Sequence, residues 1–235
     1  MGGRTGSTRA RPGEKPAPRR RLAREARERQ IIDGAIRFFA EHGLTGNTRE
    51  LAERLGITQP LLYKYFPTKN DLIERVFQEI FFQRFDQGWT SLIGDRARPL
   101  ADRLGEFYRR YAGATYTYEW IRLYLFAGLA GRDINARYIG HVERNVLEPI
   151  CNEIRAYCGL PDRGVIPISR AELDHTWVFH GGLFYYAMRK HIYRAQITGD
   201  FETLIDRSVA AMLEGQRRVT ERALAEAAAP SRSVA

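Results

Sequence analysis

At 235 residues the chain is too long for one small binding module and comfortable for such a module plus a larger domain. An apolar fraction of 44% suffices for a packed core, while no bilayer-length apolar run and no apolar N-terminal signal segment occur, which predicts a soluble, cytoplasmic protein. The net charge of +9 is segregated: residues 1–69 hold 15 Lys+Arg against 7 Asp+Glu and the remainder 22 against 21, so a polyanion would be drawn to one end only.

Residues 1–20 are rich in Arg, Pro and Gly with almost no apolar content, the composition of a disordered basic arm. Two readings of that arm stay open: a solvated tail, or an arginine arm that follows phosphates or enters a minor groove. Arg19, Arg20 and Arg21 lead into a helix to about His42, with Ile31, Ile32, Ala35, Phe38 and Phe39 as its apolar stripe and Gly43 as its stop.

The stretch from Thr48 to Lys69 reads as two short helices joined by a tight turn. Asn47 is placed to cap the first, with Glu50 three residues on to return the bond. Leu51, Ala52 and Leu55 form its buried stripe, and Gly56 ends it. Thr58 caps a second helix whose first turn accommodates Pro60, because the missing N–H has no intrahelical partner there. Leu62 and Phe66 point inward, leaving Gln59, Tyr63, Lys64 and Tyr65 outside. Pro67 stops this helix, and Thr68 with Asp71 starts the next. This is a helix-turn-helix signature. An exposed helix of that kind fits the major groove, where Gln59 and Lys64 suit base edges and the two tyrosines suit phosphates or thymine methyls.

The wider stretch, from Ile31-Ile32-Asp33-Gly34-Ala35-Ile36-Arg37-Phe38-Phe39 to Leu62-Tyr63-Lys64-Tyr65-Phe66-Pro67-Thr68-Lys69-Asn70-Asp71-Leu72, resembles the DNA-binding region of the TetR (tetracycline-repressor) family of bacterial transcriptional regulators. The resemblance covers roughly residues 29–76. The link from Gly43 to Ala52 is one residue shorter than is usual in the family. The resemblance implies an all-α homodimer of about nine helices, with an N-terminal helix-turn-helix domain and a C-terminal helical ligand-binding and dimerisation domain. Lys69 matches a family position that contacts phosphate. The candidate DNA-contacting set is therefore Thr48, Arg49, Thr58, Gln59, Pro60, Tyr63, Lys64, Tyr65 and Lys69. The expected partition is an arm over 1–20, the DNA-binding domain over 21–69, the effector and dimer domain over 70–227, and a disordered tail over 228–235.

Past Lys69 the apolar spacing predicts one amphipathic helix from Thr68 to about Leu92. Helices near 99–114, 118–129 and 134–160 follow. Cys151 and Cys158, two turns apart on one helix and so about 10 Å distant, are read as core residues rather than a bridge. Ser169 and Glu172 form a capping box for a helix to about Tyr193, apolar nearly all round over 177–188. Its Gly181 and Gly182 predict close backbone approach by a neighbour. The last helix, 201 to about 227, is apolar at Phe201, Ile205, Val209, Met212 and Val219. These two helices serve an intrachain core or a four-helix dimer interface; the family resemblance implies the dimer.

Aromatic residues concentrate in the middle helices, where they form a core or a pocket wall. The candidate ligand-binding set is Phe107, Tyr111, Trp120, Tyr124, Trp177, His180 and Phe184. Phosphate loops, dinucleotide fingerprints, nucleophile elbows and His-Glu-x-x-His are all missing from the sequence, and His141-x-Glu143 is too little for a metal site. No catalytic residue, metal or cofactor is expected. The pattern points to a ligand-responsive dimeric repressor of a palindromic double-stranded DNA operator, released by a small, largely apolar or aromatic effector. The alternative is a sequence-tolerant architectural DNA-binding protein without an effector.

Overall fold

A computed structural model of the chain describes residues 18–228, with side chains over 23–225. Most of the expected basic arm and tail, residues 1–17 and 229–235, lie outside the described residues, as do the side chains of Arg19, Arg20 and Arg21. The described residues form helices and no strands: α1 Pro18–His42, α2 Thr48–Arg54, α3 Gln59–Tyr65, α4 Lys69–Phe77, α5 Gly88–Gly94, α6 Leu100–Thr115, α7 Tyr118–Leu129, α8 Ile134–Val142, α9 Glu148–Cys158, α10 Arg170–His191 and α11 Phe201–Ala228. The first helix begins at Pro18, so the last three residues assigned to the arm are helical, as is Ala228 of the expected tail.

The expected single helix from Thr68 to Leu92 is instead two. α4 widens into a π-helical segment over Gln78–Phe82, closed by Gln83 N–H donating to the Gln78 carbonyl at 3.0 Å, five residues back. The chain then turns. The Asp86 carboxylate accepts the Gly88 N–H at 2.8 Å, a local bond that competes with helix continuation. A second π-helical segment, Glu143–Leu147, joins α8 to α9, so the expected 134–160 helix is continuous but locally widened. The break after Phe82 raises the count among the described residues above nine.

One buried apolar cluster runs from Ile31 to Leu213 without a gap at the Lys69 boundary. In it α1 packs on α2, α4 and α7, α6 packs on α5, α9 and α11, and α10 packs on α7, α9 and α11. Phe39, Phe77, Phe81 and Phe107 are completely enclosed, each side chain contributing about 1.5–3 kcal/mol by leaving water. Gly34 lets α2 approach α1: a Cβ there would fall 2.2 Å from Leu55 Cδ2. Gly56 holds φ +64, the left-handed exit the turn requires.

Ion pairs fix the far end of the body. Arg155, fully buried, forks onto Glu172 at 2.6 and 2.7 Å and donates to the carbonyls of Ile166 and Pro167, tying down the loop between α9 and α10. Glu153 on α9 likewise takes Arg96 at 2.8 Å and Arg103 at 2.9 Å. Cys151 and Cys158 are buried and free, and burial pushes the Cys151 thiol up to about 12, so it is not a ready thiolate.

Two expectations about α10 and α11 change. Among the described residues nothing lies within 4 Å of a Cβ built on Gly181 or Gly182, so no described neighbour approaches them closely. Ile205 and Val209, expected on a dimer face, are buried within the chain, where α11 packs on α6. Of that set Val219 does face outward, and with it the outward faces carry Val178, Gly182 and Tyr185 on α10 and Leu204 and Gly215 on α11.

Candidate nucleic-acid interface and adjoining cavity

Capping chemistry sets the helix-turn-helix. Asn47 accepts the Arg49 N–H at 2.8 Å, but the expected return bond from Glu50 is replaced by ion pairing of Glu50 with Arg54 at 3.0 Å. Arg54 also meets Glu41 at 2.9 Å and His42 at 3.0 Å, locking the α1–α2 corner. Thr58 caps α3 through the Leu61 N–H, with Pro60 in the first turn. Thr68 and Asp71 form a complete capping box at the start of α4.

The nine sequence-predicted DNA residues fall into three groups. Arg49, Thr58, Pro60, Tyr63 and Lys64 are exposed on the α2–α3 surface, Arg49 pairing with Glu53 at 3.2 Å. Gln59, Tyr65 and Lys69 are half-buried. Tyr65, expected outside, instead packs against the core with the Arg24 guanidinium 5.9 Å from its ring. Lys69 stands 5.9 Å from the Phe39 ring; partial burial pulls its pKa down, Tyr63 opposes this and Arg132 adds to it. Thr48 is buried, contrary to a side chain free to reach outward. Its hydroxyl takes the Gln59 amide N–H at 3.1 Å and bonds the Tyr63 hydroxyl at 3.0 Å, so one atom of α2 fixes two side chains of α3.

In the body, α6, α7, α8 and α10 line a partly open cavity of ≈ 90 Å³. Six of the seven predicted ligand residues line it: Tyr111, Trp120, Tyr124, Trp177, His180 and Phe184. Phe107 does not; it is enclosed in the core against Trp89, Tyr108 and Tyr111. The residues not foreseen in the set are Tyr116, Tyr138, Ile139, Val142 and Gly181. Tyr116 and Tyr138 belong to the aromatic run and were recognisable by type. Ile139 and Val142 carried no chemical mark distinguishing them from core.

Polar atoms in this wall are few. The Tyr111 and Tyr138 hydroxyls bond each other at 2.8 Å, and burial raises both phenols above their ordinary range. Burial draws His180 down to about 4, so its ring is neutral at neutral pH. The Tyr116 hydroxyl, Trp120 Nε1 and His180 Nδ1 are buried without a partner among the described residues.

Two routes join the cavity to the helix-turn-helix. Trp120 and Tyr124 of α7 face the cavity, while Arg122 of the same helix donates through Nε to the Ala40 carbonyl and through Nη2 to the Glu41 carbonyl at 3.4 Å. Its guanidinium also sits 5.4 Å from the Tyr118 ring and 5.0 Å from the Phe126 ring. A cation there complements the carbonyl-rich C-terminal end of α1. The second route is α4, whose π-helical Phe81 meets Trp120 edge-on at 5.2 Å and Tyr138 at 5.6 Å. Arg132 to Asn70 at 3.1 Å and Arg137 to Glu74 at 3.5 Å fasten the α7–α8 side onto α4.

Residues 31–76 match the family model described as bacterial regulatory proteins, tetR family. The tetracycline repressor protein class D of Escherichia coli is 34% identical over 84 residues, covering 32% of this chain and 38% of the repressor. The match thus spans little more than a third of that relative's length. Among solved structures, Mycobacterium smegmatis AmtR aligns over 92% of this chain and 97% of its own, with a TM-score of 0.55 at 19% identity. A tetR-family transcriptional regulator from Streptomyces coelicolor aligns over 86% and 89%, with a TM-score of 0.55 at 18% identity. These structures share the all-helical fold well beyond the matched segment. Residues 31–76 thus resemble the corresponding segment of the tetR family of bacterial regulatory proteins, and the chain shares its helical fold with these two solved structures.

Proposed function

We propose that this chain is a dimeric DNA-binding transcriptional repressor, released from a palindromic operator when a small, largely apolar or aromatic effector enters the cavity among α6, α7, α8 and α10. The observation that carries this reading is the double duty of α7: Trp120 and Tyr124 wall the cavity while Arg122 grips the end of α1. A ligand that displaces the cavity face of α7 therefore acts on the helix that the helix-turn-helix packs against.

In this reading Gln59 and Lys64 meet base edges, while Arg49, Thr58, Pro60, Tyr63, Tyr65 and Lys69 contact phosphate or sugar or shape the approach. Thr48 acts as a positioning residue, holding Gln59 and Tyr63 in place through its hydroxyl. The outward faces of α10 and α11 pair with those of a second copy, supported by the exposed Val178, Tyr185, Leu204 and Val219. Two recognition helices so joined address half-sites one helical turn, about 34–36 Å, apart. An effector that favours another separation lowers DNA affinity by the factor with which DNA lowers effector affinity.

The test begins with selection of random duplexes on the full chain. A palindrome bound over scrambled DNA supports the operator reading; equal binding to both supports the architectural alternative. Effector titration with and without that operator then measures coupling, and equal effector affinity in both would overturn the sensor.

A further inference from the structure

The chemistry of the cavity wall restricts its occupant. This step rests on the cavity being the effector site. Among the described residues no Asp, Glu, Lys or Arg lines it, and its histidine is buried beyond easy protonation. A carboxylate bonded to the wall, Glu143, is already engaged by the Trp177 indole N–H at 2.8 Å and by Arg170 at 3.1 Å. A charged ligand would leave water without gaining a counter-charge, which is costly.

A purely apolar ligand fits no better. The Tyr116 hydroxyl, Trp120 Nε1 and His180 Nδ1 are buried with no partner among the described residues, and all three residues line this cavity. A buried polar atom left unpaired carries a penalty that a ligand hydrogen bond removes. The Trp120 indole is a donor only, so the ligand must offer an acceptor. Tyr116 and His180 each donate or accept and so suit a hydroxyl as well as a carbonyl.

Size sets the last limit. An enclosed apolar space of about 150 Å³ holds benzene. At ≈ 90 Å³ and partly open, this cavity suits about one small ring.

We propose that the cavity takes an uncharged ligand of about one six-membered ring bearing a hydrogen-bond acceptor, of the phenol class, read by Trp120, Tyr116 and His180. The competing occupant is a cluster of ordered waters satisfying the same three atoms.

Calorimetric titration of the full chain with four probes decides between them: phenol, its near-isostere toluene, benzoate and benzylammonium. The expected order is phenol about tenfold tighter than toluene, the worth of one or two hydrogen bonds, with no measurable heat from the two ions. Tyr116→Phe removes only a hydroxyl and keeps the ring, so the fold should persist while the phenol preference narrows severalfold and toluene binding is unchanged. Trp120→Phe should narrow it too. Equal binding of phenol and toluene, or benzoate or benzylammonium matching phenol, overturns the proposal. Heat from none of the probes overturns it as well, in favour of water. Operator DNA separates this inference from the reading beneath it: phenol bound as described with operator affinity unchanged would sink the sensor and leave the ligand class standing.

Discussion

In the helix-turn-helix, polar side chains find one another near the surface: Thr48 between Gln59 and Tyr63, Arg54 among Glu41, Glu50 and His42. In the body the polar groups are either locked in buried ion pairs, as with Arg155 and Glu172, or left alone in the aromatic wall, as with Tyr116, Trp120 and His180. The first arrangement gives a surface whose side chains are pre-set yet accessible to a large charged partner. The second gives a rigid frame around a space whose unmet hydrogen bonds favour a small one. The difference assigns different consequences to similar substitutions.

The largest contrast lies between two arginines. Arg155→Ala leaves Glu172 buried and unpaired and frees the Ile166 and Pro167 carbonyls, so it should cost about 3–5 kcal/mol. Arg54→Ala breaks pairs about half exposed and should cost about 0.2–1 kcal/mol. Urea unfolding followed by circular dichroism measures both, and comparable losses would erase the contrast. Acid sharpens it. Burial opposes the Glu172 charge, but Arg155 and the Ser169 N–H and hydroxyl hold its carboxyl below the ordinary 4.5. A lowered folded pKa means this stability is full above 4.5 and is lost as pH falls from there through the folded value. In Arg155→Ala that part of the acid dependence should disappear.

On the DNA side, Gln59→Ala or Lys64→Ala should cost about 1–3 kcal/mol of operator binding and relax preference at particular base pairs. Lys69→Ala should weaken all sequences alike and reduce the salt slope by about one. Binding to a panel of operator variants at several salt concentrations reads both. Uniform loss for Gln59→Ala and Lys69→Ala alike would remove the division of labour.

Arg122→Ala probes the joint between the two regions. It removes the bonds to the Ala40 and Glu41 carbonyls while leaving Trp120 and Tyr124 in the cavity wall. Effector affinity of the free protein should hold, while the coupling between effector and operator, of order 1–3 kcal/mol, shrinks. Titrations with and without operator give the coupling directly; full coupling in the variant would shift the transmission to Phe81 and α4.

How legible each part was in the sequence follows from where its forces act. The helix-turn-helix was readable because caps, Gly56 and Pro60 are local signals within a few residues. The box at Ser169 and Glu172 was readable for the same reason, although the sequence did not disclose that Glu172 also receives Arg155 from seventeen residues away. The break between Phe82 and Gly88 was missed because apolar spacing runs on through Phe85 and Trp89, which pack against each other at 5.0 Å across the turn. Six of the seven aromatic and histidine candidates line the cavity, but Phe107, one turn from Tyr111 on α6, faces the core instead, which its aromatic type did not disclose. Thr48 looked like a surface contact because its burial depends on Tyr63 and Gln59 folding over it.

The smallest expected effect concerns the neighbouring glycines of α10. Each lies in the interior of a helix, where Gly costs about 0.5–1 kcal/mol relative to Ala, and a Cβ on either meets nothing within 4 Å. Within one chain, Gly181→Ala and Gly182→Ala should therefore stabilise by similar amounts. Gly181 lines the cavity, whereas Gly182 is exposed between Val178 and Tyr185 on the face proposed to meet a second copy. Gly181→Ala should raise the unfolding midpoint at every protein concentration. Gly182→Ala should raise it only in dilute samples, because a methyl group there would separate two backbones in the dimer. Melting across a concentration series, with sedimentation to follow association, distinguishes them. No atom of the described residues stands in the way of either methyl group, so a penalty confined to Gly182 and growing with protein concentration points to a partner. Identical gains at all concentrations would place the dimer contact elsewhere on α10 and α11.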